Sequence, residues 1–131
     1  AVLIGSIVPF MLQTGDHPKG VPQDVFDGMA AGIRKDRAGF FHDFAKSFYG
    51  VGMIAAPVSD AVLEDFRRQA LMAGLRPTLA AANAFATTDF GGDLQHFTMP
   101  TLIVHGTDDA TVPIDATARI VKDKVGHARL V

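Results

Sequence analysis

The stretch His105-Gly-Thr-Asp-Asp-Ala-Thr-Val-Pro113 gathers an imidazole and two adjacent carboxylates just after an aliphatic run. A buried strand that ends in Gly and acidic residues, then enters a helix through Val-Pro, delivers a carboxylate to the strand's C-terminal edge. There it can hold an imidazole in one tautomer and stabilise its charged form. The plainer alternative is that Asp108 or Asp109 merely caps the turn or the next helix. Taken with His96, the same residues offer imidazole and carboxylate ligands to a divalent ion, but their spacing follows no ligand rule and no metal is expected. The chain has no cysteine, which removes a thiolate nucleophile, a disulfide framework and any sulfur-based zinc site. A nucleophile elbow of the form G-x-S-x-G occurs nowhere in it. His127 precedes the expected last strand and reads as a surface residue. His17, His42 and His96 read as solvent-facing or capping, and His105 as packing at the end of its strand. Gly50-Val-Gly-Met-Ile-Ala55 has the letters of a dinucleotide fingerprint, but it follows an amphipathic helix and is cut off by Pro57, so it reads as a turn and no cofactor is expected.

Elements of regular structure must position these groups. Residues 1–12 open with AVLIGSIVPF, the pattern of a strand buried on both faces of a parallel sheet. Gln13 to Val21 is a polar loop with Gly and Pro for its turns. From Pro22, the apolar positions Val25, Phe26, Met29, Ile33 and then Phe40, Phe41, Phe44, Phe48 recur at three- and four-residue steps, giving two amphipathic helices broken near Asp36 to Gly39. Ser59 or Asp60 caps a third helix, and Pro77 to Phe85 forms a short alanine-rich fourth. Asp89 to Met99 is a loop, Pro100 to His105 a short buried strand, and a helix with Asp115 in its first turn follows Pro113. Ala128 to Val131 begins another strand. Strands separated by helices imply a parallel α/β sheet with right-handed crossovers. The helical block, residues 22–86, is too long for a single crossover and reads as an inserted cap over the carboxyl edge of a sheet built from residues 1–12 and 100–131.

Composition narrows the partners. The chain has 131 residues, 48% hydrophobic and 20% charged, with a net charge of −2, which is one globular domain's worth of material or less. Twelve Lys plus Arg against fourteen Asp plus Glu leave no basic excess for a nucleic acid backbone. No apolar run approaches the roughly 20 residues needed to cross a bilayer, so no membrane partner is expected. The lack of cysteine fits a reducing, cytoplasmic compartment, and homo-oligomer formation stays open. Residue 1 reads as an internal position of something longer, because the opening strand has neither a preceding Met nor a basic leader.

The acidic turn resembles that of the α/β-hydrolase superfamily. With Ala84-Phe-Ala-Thr-Thr-Asp-Phe-Gly-Gly-Asp-Leu94 and Met99-Pro-Thr-Leu-Ile-Val-His-Gly106 in front of it, the sequence is similar to the cofactor-free haloperoxidase and arylesterase branch. The stretches VPFML, GVPQDVFDG and DRAGFFHDF extend the resemblance over essentially the whole chain. It implies a partial α/β-hydrolase fold with an inserted helical cap. The branch's acid, three residues before Val-Pro, falls on Asp109, with the nucleophile expected before Ala1 and the histidine after Val131. Thr107-Asp108 departs from relatives, which more often have Asp followed by a small residue. Phe44, Phe48 and Phe85 match places where relatives set Phe against the acyl chain. Met11, Met29, Thr111 and Ile114 match further wall positions with altered side chains, and Met keeps such a wall apolar but softer. By itself, the Phe40, Phe41, Phe44, Phe48 stripe reads as packing between cap helices. The implied activity is ester hydrolysis by an activated Ser, with hydrogen peroxide able to replace water as acyl acceptor and no metal involved. Two other readings remain at this stage: the same fold with an Asp nucleophile, as in dehalogenases and epoxide hydrolases, and a non-catalytic module whose cap pocket takes a small apolar ligand.

Overall fold

A computed structural model of the chain describes residues 1–52 and 55–131. Its elements are β1 (Val2–Ile4), α1 (Gln23–Lys35), α2 (Arg37–Phe48), α3 (Asp60–Met72), α4 (Leu75–Thr87), a 3₁₀ turn (Gly91–His96), β2 (Leu102–Val104), α5 (Ala118–Lys124) and β3 (Arg129–Leu130). The three strands form a parallel sheet in the order β1-β2-β3, with Leu3 opposite Ile103 and Ile103 opposite Leu130. This is the α/β architecture expected from the alternation of strand and helix. The chain divides into two compact units, residues 1–23 with 84–131 and residues 24–83.

In the first unit, α5 packs on β2 and β3. Ile103, Ala118, Val121, Val125, Ala128 and Leu94 are buried together there, with Leu3, Val8, Phe97, Ile114 and Leu130 packed against them. The opening run departs from expectation. Only Val2–Ile4 is strand, and β1 is an outer strand of this sheet. Successive side chains alternate between the two faces, so Leu3 meets the core while Val2 and Ile4 are 61% and 73% exposed rather than buried on both faces. Residues 91–96 coil into a 3₁₀ turn where a loop was expected, and Leu94 drives this by entering the core. The last helix starts at Ala118, later than the sequence pattern implies. Residues 114–117 form turns that bury Ala116 and Thr117, so Asp115 precedes the helix instead of standing in its first turn.

The loop after Met11 also differs from its polar appearance. Val21 donates to Met11 O, Gln13 to Val21 O, and Thr14 and His17 exchange backbone bonds. The chain thereby doubles back and buries His17 to 9% exposure, with its ring 5.8 Å from that of Phe10. His17 is therefore not solvent-facing.

In the second unit, the break between α1 and α2 falls at Asp36, whose carboxylate accepts the Gly39 N–H at 3.0 Å and caps α2. The other end of α2 closes on Gly50 at φ +65: Gly50 donates to Ser47 O and Val51 to Lys46 O. This is the Schellman arrangement, which needs a left-handed residue and favours glycine. Met53 and Ile54, within the Gly50–Ala55 stretch, lie outside the described residues. Helix α3 begins at Asp60 after Ser59, whose side chain makes no capping bond. Helix α4 begins at Leu75, two residues before Pro77, because proline in a first turn forfeits only an N–H that has no helical partner anyway. Helices α2 and α3 pack on each other, burying Ala45 and Leu63, and Arg37 reaches across to the Ala73 and Leu71 carbonyls.

Candidate active site

Asp109 stands just past the carboxyl ends of the strands. Gly5, following β1, donates to Val104 O at 3.0 Å, and His105, following β2, donates to Val131 O at 3.2 Å, so the three strand ends converge on this turn. The chain then folds over itself. Asp109 N–H donates to Gly106 O at 3.4 Å. Asp109 Oδ1 accepts the N–H groups of Thr111 at 2.9 Å and Val112 at 2.8 Å. One carboxylate oxygen is thus committed to the backbone, and the side-chain bond to a residue two places on is the ordinary way an Asp stabilises a turn. The second oxygen, Oδ2, lies 3.6 Å from His105 Nε2, beyond hydrogen-bond reach, and the side chain is 27% exposed. A Cβ placed on Gly5 would sit 3.8 Å from Oδ2. The arrangement leaves Oδ2 beside the strand ends without a hydrogen bond, an acceptor able to take the N–H of an imidazole. Asp108 is exposed and takes no part in this network.

His105 is buried, as expected of a residue at the end of its strand, but it does more than pack. Its Nε2 is 2.8 Å from Val112 O, and its Nδ1 has no partner among the described residues. His127 is exposed, with Nε2 2.8 Å from Met99 O, and His42 and His96 are exposed. Among the described residues no group of three His, Asp or Glu gathers in a manner able to hold a metal ion. No helix among them is long and apolar enough to cross a membrane.

The expected wall residues fall into separate groups. In the first unit Thr111 is half-buried and tied to Asp109 through its N–H, Ile114 packs against the core cluster, Met11 is buried at 1% exposure, and Phe85 is half-buried on α4. In the second unit Met29 is half-buried on α1. Phe44 stacks between Phe40 and Phe48, with centroids 5.9 and 6.1 Å away, as helical i, i+4 neighbours. Phe66 of α3 lies 6.1 Å from Phe44 and 5.7 Å from Phe48. These separations lie in the range aromatic rings favour. Phe44 is half-buried in the cluster, whereas Phe48 is 51% exposed.

A cavity of about 480 Å³ opens between α2 and α3, lined by Ala38, Gly39, His42, Asp43, Glu64 and Arg67. Its lining includes four polar or charged side chains and none of the expected substrate residues. Glu64 and Arg67 make two bonds there at 2.7 and 2.8 Å. The bond to Arg67 holds the Glu64 carboxyl below its ordinary range and the Arg67 guanidinium above its own.

Sequence reasoning did not single out Gly5 or the His105–Val112 contact. Gly5 sits at φ +50 in the left-handed region that glycine tolerates. A parallel was present in the letters, since Val-Leu-Ile-Gly5 and Ile-Val-His-Gly106 both end an aliphatic run in glycine near the acidic turn.

No family model matches the sequence. A non-heme haloperoxidase of Rhodococcus erythropolis is 39% identical over 131 residues, covering 99% of this chain and 48% of its own length. A bifunctional esterase/perhydrolase of Acinetobacter calcoaceticus is 36% identical over 132 residues, covering 100% of this chain and 48% of its own. Among solved structures, a bromoperoxidase from Bacillus anthracis aligns with a TM-score of 0.93 at 30% identity, over 99% of this chain and 48% of that one. An esterase from Exiguobacterium antarcticum aligns at 0.86 with 23% identity, over 99% and 46% of the two chains, a likeness that speaks for the fold alone. The chain spans about half the length of the curated relatives it matches.

Proposed function

Because this chain is homologous to non-heme haloperoxidases and esterases and shares the α/β-hydrolase fold of its solved neighbours, we propose that the protein is a carboxylic ester hydrolase in which Asp109 is the triad acid. The observation that carries this reading is the asymmetry of the Asp109 carboxylate. Oδ1 is saturated by two backbone N–H groups, while Oδ2 is left at the sheet edge without a hydrogen bond. A mere turn cap needs only the first oxygen. A triad acid needs both, one to lock its orientation and one to accept the imidazole N–H. In the complete site an imidazole and a Ser hydroxyl come from sequence outside this chain, which holds no G-x-S-x-G string. The Ser attacks the ester carbonyl, the imidazole takes its proton, and Asp109 stabilises the resulting imidazolium. Water then hydrolyses the acyl-enzyme, and hydrogen peroxide in place of water yields a peracid able to oxidise halide. Met11, Phe85, Thr111 and Ile114, all in the same unit as Asp109, belong to the acyl wall in this reading, and the absence of cysteine suits a reducing cytoplasm.

The deciding experiment compares Asp109→Asn with Asp108→Asn in the full-length protein, assayed on a chromogenic short-chain ester. A steep loss for Asp109→Asn with a mild one for Asp108→Asn supports the assignment, and the reverse order refutes it. The 131-residue chain by itself is expected to show no esterase turnover. Metal-independent turnover by it, abolished by a change within it, would reveal a complete site in this chain.

A further inference from the structure

The geometry points to His105 as a positioning residue: its Nε2–H holds Val112 O and so fixes the turn that presents Asp109 Oδ2. This rests on the reading of Asp109 as triad acid. Three features of the turn support it. A backbone carbonyl can only accept, so the 2.8 Å contact to Val112 O requires the proton on His105 Nε2. The 3.6 Å separation from Asp109 Oδ2 is too long for that proton to be shared usefully, so His105 leaves Oδ2 to another donor. Finally, Val112 is gripped from both sides. Its N–H goes to Asp109 Oδ1 at 2.8 Å and its C=O receives His105 at 2.8 Å.

The imidazole is therefore a strut between the end of β2 and the far side of the turn. It is anchored by its own N–H on Val131 O and by complete burial of its side chain. Nδ1 is buried with no partner, which suits a lone pair and would leave a proton there without an acceptor. If His105 only filled space, any apolar side chain of similar size would serve. If it holds Val112, its replacement must carry a donor at the Nε2 position. Glutamine can supply one from its terminal amide, and leucine cannot.

The test uses the full-length enzyme and an aryl ester. His105→Leu is expected to lower kcat per folded molecule by about tenfold or more, the usual scale for loosening a catalytic group by a fraction of an ångström. KM should stay within about twofold, because the interaction lost serves the transition state and not substrate binding. His105→Gln should recover most of the loss in kcat. Long-range ¹H–¹⁵N NMR of the wild-type imidazole should find the proton on Nε2, a measurement that stands even where the leucine variant fails to fold. A proton on Nδ1, or leucine and glutamine variants with equal kcat, overturns the inference. Asp109→Asn run in parallel separates the two claims. If it leaves turnover intact, the acid assignment fails whatever His105 does. If it is steeply impaired while His105→Leu is not, only the strut fails.

Discussion

The turn from His105 to Val112 and the aromatic cluster on α2 and α3 are held together by opposite means. The turn is fastened by directional bonds: Thr111 and Val112 N–H to Asp109 Oδ1, and His105 Nε2 to Val112 O, all between 2.8 and 2.9 Å. The cluster of Phe40, Phe44, Phe48, Tyr49 and Phe66 is fastened by contact between rings at 5.2 to 6.1 Å. Hydrogen bonds fix an angle as well as a distance, so the turn can aim one oxygen. Ring packing fixes a volume and tolerates many arrangements within it. A single-atom change should therefore be felt by function in the first region, while the second should register changes of bulk, mainly as stability.

The largest effect expected is on the turn. Asp109→Asn conserves shape but replaces an acceptor, and in a Ser-His-Asp system this costs about 10⁴-fold in turnover through the wrong imidazole tautomer. Steady-state kinetics with an unchanged melting temperature would confirm that the turn governs chemistry and not folding. A parallel fall in thermal stability would blur the contrast between the regions.

In the cluster, Phe44→Ala removes a ring that is stacked on both sides. A fully buried Phe→Ala change costs about 3–5 kcal/mol, so for this half-buried ring a loss of about 2–3 kcal/mol in denaturant unfolding is expected. Phe48→Ala should cost less stability, because its side chain is half exposed. As the family resemblance implies for this position, it should instead reorder the preference among acyl chain lengths. A uniform fall in activity that tracks stability would assign Phe48 to packing alone.

Gly5 tests the edge of the site. At φ +50 a Cβ is strained, so Gly5→Ala should destabilise by about 1–2 kcal/mol. The new methyl, 3.8 Å from Asp109 Oδ2, should also lower kcat by crowding the imidazole's approach. A stability loss without a change in kcat would show that Oδ2 is approached from another side.

The smallest effect belongs to the Glu64–Arg67 pair. The bond to Arg67 lowers the Glu64 carboxyl in the folded state, so its contribution is present above the usual glutamate range and fades as pH falls through the lowered value. The raised Arg67 adds a contribution lost only at strongly alkaline pH. Glu64 is exposed and Arg67 half-buried at the surface, where salt screens such pairs. Glu64→Gln should thus be slightly less stable than the parent at pH 7, with the gap closing only once the pH falls below the lowered Glu64 value. An equal gap at both pH values would mean the carboxylate charge is not what Arg67 stabilises.

Local order was legible wherever one short segment contained its own cause. The three- and four-residue spacing of Phe40, Phe44 and Phe48 names a helix because those side chains share one face. The break near Asp36 to Gly39 was legible too, and the structure puts the helix start at Asp36, whose carboxylate reaches the Gly39 N–H. Leu102–Val104 reads as a strand because three aliphatic residues between Pro100 and Gly106 leave room for little else. The same letters were silent wherever a group's partner arrives from a distance. His17 sits among Asp16, Pro18 and Lys19 and looks exposed, yet Val21 returning to Met11 folds the loop so that its ring is covered. The opening run looks like a strand throughout, yet only the residues that pair with Leu102–Val104 become one. At the acidic turn, the sequence by itself determined that two carboxylates would follow a strand. The bonds from Thr111 and Val112 N–H to Asp109 Oδ1 are local turn bonds. Only the tertiary structure decided what stands around the other oxygen: His105 turns to Val112 O, seven residues along the chain, and stays 3.6 Å from Oδ2, because the strand ends converge there.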